Sequence, residues 1–163
     1  MRSFAFVAVG VATLAAAVLA FGANAGPRWN PEGPPFNLQI ILRDVTGGGG
    51  FGQVEFRQPR DADNIVFLDT SVRLAPNHSY LLQRAVDTDQ DGNCTSTGWL
   101  TLGKGLAPQA ITTDGQGFGH ELLWRDLGAT PTGAQFDIHF RVIDAVTSAP
   151  LLRSDCHAFL VRR

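Results

Sequence analysis

The densest chemistry in the chain lies in eight consecutive residues, Asp87-Thr-Asp89-Gln-Asp91-Gly92-Asn93-Cys94. Three carboxylates at alternate positions, then a glycine, match the first half of an EF-hand-type calcium loop, where positions 1, 3 and 5 offer side-chain oxygens and position 6 turns the chain. The twelfth position is Gly98, so the bidentate glutamate that closes such a loop is missing. The flanking segments also read as strands rather than helices, which excludes a complete EF-hand. Asp87, Asp89 and Asp91 would hold calcium only if the fold supplied another carboxylate. The competing expectation is a polar turn in which Asp and Asn side chains cap their own backbone and Gly92 takes the positive φ. The turn is favoured, no cofactor is otherwise expected, and calcium is the one ion left open.

The four histidines, His78, His120, His139 and His157, have no helical or hairpin ligand spacing, so a transition-metal site would have to be assembled by the fold. Cys156 and His157 are adjacent, but the only methionine is Met1. Acidic pairs such as Glu121 with Asp126, or Asp137 with Asp144, are the residue types of a glycosidase site, and nothing in their spacing shows that they meet. No nucleophile elbow, zinc-protease motif or phosphate loop is present. Catalytic residues are therefore not assigned. Alternation in "HELLW" puts His120 and Trp124 on one face, either as an aromatic platform for a sugar or, as favoured here, with Trp124 in the core.

The two cysteines, Cys94 and Cys156, follow an N-terminus built for export. Arg2 precedes the apolar run of residues 4–22, and Ala23-Asn24-Ala25 then offers small residues for cleavage, which describes a signal peptide of residues 1–25. An uncleaved anchor is the alternative; after cleavage no membrane span is expected. In an oxidising compartment the two cysteines should form a disulfide, with Trp99 packed near it. The chain after the leader carries 12 basic and 15 acidic residues, a formal charge of −3, which argues against nucleic acid as a partner.

Residues 26–35 are rich in proline and glycine and read as a flexible lead-in, so residues 36–163 form the single domain. About eight segments there show strand-like alternation bounded by turn residues, and none keeps a helical period. Val66, Leu68, Val72 and Leu74 share one face, and Phe136, Ile138, Phe140 and Val142 share another, each opposite polar residues. Half-buried strands of this kind favour antiparallel sheets. "LAPNHSY" places Leu74, Pro76 and Tyr80 in the spacing L-x-P-x-x-x-Y. That spacing resembles the tyrosine corner of fibronectin type III and immunoglobulin-like β-sandwich modules. The resemblance covers this corner and the strand rhythm. It implies an all-β, antiparallel two-sheet sandwich whose tyrosine hydroxyl bonds back to nearby backbone. An unrelated β-barrel is the competing architecture.

The reading is a secreted, extracellular or periplasmic, non-catalytic β-sandwich protein with a binding or surface-structural role and an unidentified extracellular ligand or protein partner. Two alternatives stand beside it. One is a calcium-stabilised adhesion or carbohydrate-binding module using Asp87, Asp89 and Asp91. The other is a secreted hydrolase with an unrecognised carboxylate site.

Overall fold

Residues 36–59 and 64–162 are described, in a computed structural model. The expected signal peptide and lead-in lie outside the described residues. Where apolar and polar residues alternate, strands form: β1 (Phe36–Asp44), β2 (Phe51–Gln58), β3 (Ile65–Arg73), β4 (Ser79–Asp87), β9 (Phe118–Asp126) and β10 (Gln135–Asp144) are the long ones. Between β4 and β9 run four two-residue strands, β5 (Leu100–Thr101), β6 (Gly103–Lys104), β7 (Ala107–Pro108) and β8 (Ile111–Thr112). Two short strands, β11 (Pro150–Arg153) and β12 (His157–Leu160), complete the order. No helix occurs among the described residues, so none there is long and apolar enough to cross a membrane.

The antiparallel two-sheet, immunoglobulin-like sandwich expected from the sequence does not form. All twelve strands join one sheet in the order β5-β4-β10-β11-β1-β2-β3-β9-β6-β7, with β12 on β10 and β8 on β4. The sheet is mixed, because β6 runs parallel to β9 at Lys104 and Trp124. It is also nearly closed into a barrel. The segment of residues 100–113 bridges the two open sides: β5 and β8 pair with β4, while β6 pairs with β9 and Thr113 bridges Gly119. The amide of Leu102 adds a bond to the Leu82 carbonyl at 2.9 Å.

Closure depends on tight backbone approaches that only glycine permits. A Cβ on Gly103 would lie 1.9 Å from the Ala107 carbonyl oxygen, inside any contact distance. Gly105, at φ +70°, lets the chain lie against Trp124, whose ring would meet a Cβ at 2.8 Å.

The core follows from strand parity. Even-numbered residues of β1, β2, β3 and β10 point inward, and Ile40, Leu42, Val54, Leu68, Phe140 and Val142 are buried in one apolar cluster with Leu102 and Ile111 of the closing segment. A sandwich would bury the same faces between two layers; here they line the inside of a curled sheet. The Tyr80 hydroxyl does donate to the Ala75 carbonyl, at 3.3 Å, and Thr113 Oγ1 donates to the same oxygen at 2.7 Å. This corner therefore anchors the turn before β9 and joins no pair of stacked sheets.

Candidate functional site

The acidic stretch belongs to the loop of residues 88–99, which leaves β4 and folds back over the outer face of β10. The Cys94–Cys156 disulfide, with Cα atoms 5.3 Å apart, ties this loop to the chain just before β12. Asp137 and His139 point away from the core on β10, yet they are only 1 % and 7 % exposed because the loop covers them. Hydrogen bonds fix the cover. The Gly92 amide donates to Asp137 Oδ2 at 2.7 Å, and His139 Nε2 donates to the Ser96 carbonyl at 3.1 Å. Gly92 has φ +76°, the positive sign expected of it in a tight turn.

Of the three aspartates read as a calcium set, two converge and one does not. Asp87 Oδ2 accepts the Ser96 amide at 3.1 Å and braces the loop. Asp89 and Asp91 meet Asp137 instead, with one oxygen from each carboxylate within 4.8 Å of the others. Two ligand oxygens each about 2.4 Å from calcium can be up to about 4.8 Å apart, so this spacing fits that ion. Asp91 Oδ1 also accepts the Asn93 amide at 2.8 Å, an aspartate bonding the backbone two residues on. Turn and carboxylate cluster are thus the same object.

Beside the cluster, Trp99 stacks on His139 with ring centroids 4.5 Å apart, and the Arg141 guanidinium lies 4.1 Å from the Trp99 centroid. Sequence reasoning put Trp99 near the disulfide; its stacking partners are these two side chains of β10. Arg141 Nε donates to Gln83 Oε1 at 2.7 Å. Burial first, then nearby Arg153, lowers the Arg141 pKa. Burial likewise lowers that of His139, with the Ser96 carbonyl opposing.

The other sequence candidates are dispersed. His78 Nε2 meets Asp144 Oδ2 at 2.6 Å, and His120 Nε2 meets Asp69 Oδ1 at 2.5 Å on the outer face. His139 and His157 lie elsewhere, and the only metal-capable group among the described residues is the aspartate cluster. Asp137 and Asp144 stand at opposite ends of β10, roughly 23 Å apart along an extended chain. Glu121 pairs with Lys104 at 2.8 Å, while Asp126 Oδ1 accepts the Gly128 amide at 2.7 Å. Neither acidic pair has the separation of a glycosidase, about 5 to 9.5 Å. Trp124 is on the outside of the barrel under Gly105, not in the core as expected.

Sequence reasoning missed a cavity of about 320 Å³ inside the barrel. It opens at the end where β2, β4 and β9 finish and β3 and β10 begin. Val66, Leu68, Leu102, Ile138 and Phe159 line its wall, and Arg84, Arg125 and Asp126 also reach it. Parity carried the signal: Arg84 falls between the inward residues Leu82 and Val86, and Arg125 follows inward Leu123. Both pair across the sheet with buried apolar residues, Phe140 and Val66. A charge on an apolar strand face is the departure from pattern that marks a site.

No family model, no curated protein and no solved structure matches this chain.

Proposed function

We propose that this is an exported, non-catalytic binding protein that takes a small ligand inside its barrel. The cavity carries this reading. At about 320 Å³ it falls at the small end of ligand pockets, with a mostly apolar wall and a few polar groups at one end. The space is open to solvent at one end of the barrel, so a small ligand can enter it without unpacking the core. The leader-like N-terminus and the disulfide support an extracellular or periplasmic address.

Nuclear magnetic resonance titration of the protein purified after export, with octanol and with octanoate, tests the reading. At least one of the two should shift resonances of Val66, Leu68 and Ile138. Val86→Phe, which adds bulk at the half-buried cavity wall, should weaken that binding tenfold or more while the circular dichroism stays unchanged. Shifts confined to the outer surface, or none with either compound, would discard the cavity as the site.

A second reading concerns the loop. Asp137 is a buried carboxylate facing Asp89 and Asp91, and three anions this close repel one another unless a cation joins them. We infer that calcium at low affinity stabilises the loop, as extracellular calcium levels allow. Ten millimolar calcium should raise the melting temperature of the wild type and not of Asp137→Asn. Equal melting curves with calcium and with chelator would eliminate the ion.

A further inference from the structure

Arg84 and Arg125 hold two positive charges against the cavity, and among the described residues no carboxylate pairs with either of them. Arg84 makes no hydrogen bond or ion pair among the described residues. Among the described residues, Arg125 Nη1 donates to the Gly105 carbonyl at 3.4 Å and to no other acceptor. Asp126 also reaches the cavity, but its Oδ1 is engaged by the Gly128 amide and it forms no salt bridge with either arginine. Two like charges facing one concavity cost free energy unless an anion joins them, and the low dielectric of the apolar wall strengthens both the repulsion and its relief. The direction at Arg84 agrees: burial first, then Arg125, lowers its pKa.

Resting on the cavity reading above, we propose that the ligand is an anionic amphiphile, with an apolar body among Val66, Leu68 and Ile138 and a carboxylate or similar oxyanion between Arg84 and Arg125. A guanidinium suits this task because its planar fork can give two parallel hydrogen bonds to one carboxylate. A neutral ligand of the same shape would leave both charges as they are, and a cationic one would add a third.

Isothermal titration of the exported protein with octanoate, octanol and octylammonium separates these cases, since the three differ in headgroup charge on the same chain length. Octanoate should bind at least about tenfold more tightly than octanol, the range expected for hydrogen bonds to a charged partner, and octylammonium should bind most weakly. Arg84→Gln should lower octanoate affinity about tenfold and octanol affinity by much less, since only octanoate loses a charged partner. If Arg84→Gln does not fold, Arg125→Gln carries the same comparison. Octanol binding as tightly as octanoate, or octanoate affinity indifferent to both substitutions, would overturn anion selectivity while the cavity still binds. Failure of all three compounds would remove the cavity reading and this inference with it.

Discussion

Asp44 and Asp144 each end a long strand and turn their carboxylates onto the backbone that follows. The amide and hydroxyl of Thr46 donate to Asp44 Oδ1 at 2.6 and 2.7 Å, and the Gly49 and Gly50 amides reach Oδ2. Thr147 and Val146 amides, both at 2.8 Å, do the same for Asp144, with His78 as an added partner. These donors favour the ionised form and hold each pKa at about 2, below the ordinary 3.8. A carboxyl whose folded pKa is depressed contributes stability above its unfolded pKa and loses it as pH falls through the folded one. Burial at His139 and His157 also lowers the folded pKa, from an ordinary 6.5. There the unfolded chain binds the proton more readily, so stability drops as pH falls below 6.5. Denaturant midpoints measured from pH 8 to pH 2 should therefore decline in two stages. Asp144→Asn should flatten the lower one, and a midpoint that holds steady between pH 7 and 5 would contradict the histidine stage. At this scale the sequence was legible where the partners are near in the chain, as in the Asp turns and in Gly92. It was not legible for Asp137, 46 residues beyond Asp91, because only the sheet register brings them together.

Among elements, the loop of residues 88–99 is the one whose place depends on a covalent bond. It has no strand of its own and lies on the outside of β10, held by the disulfide, by hydrogen bonds between its backbone and the side chains of Asp87, Asp137 and His139, and by the contact of Trp99 with His139. The bond spans 62 residues, so its loss should cost up to about 4 kcal/mol on the chain-entropy model. The structural consequence is local, since the barrel strands pair independently of it. Cys94→Ser with Cys156→Ser should keep the β-type circular dichroism, lower the denaturant midpoint, and open residues 88–99 to limited proteolysis. Identical cleavage rates in the oxidised and doubly substituted proteins would show that the loop needs no staple. Strand positions were largely legible: in the sequence, apolar and polar residues alternate through residues 36–44, 51–58, 79–86 and 134–144, and β1, β2, β4 and β10 occupy these stretches to within a residue. β7, β8 and β11 were missed, because two to four residues are too few to show alternation and their pairing partners decide their state.

For the whole molecule, period-two alternation says that a strand has one buried face and leaves open what covers it. A sandwich and a barrel satisfy the same pattern, so the choice falls to how the sheet's open sides are treated. Here β4 and β9 are bridged by a segment with only eight residues in strands, and Leu102 and Ile111 fasten it from within. Ile111 is fully buried and sits opposite Tyr80, between the corner and β9. Truncating it removes packing that no neighbour can replace without reopening the sheet. Ile111→Ala should cost about 2 to 5 kcal/mol, the range for a large core side chain cut to alanine. That would lower Tm by roughly 10 °C in a domain of this size. The cost should also be distributed in a way a simple cavity would not produce: backbone amides of β4 and β9 along the bridge should lose hydrogen-exchange protection together, while those of β1 and β2 keep theirs. If protection instead falls evenly over all strands, the bridge is no separate unit, and closure belongs to the same cooperative event that forms the rest of the barrel.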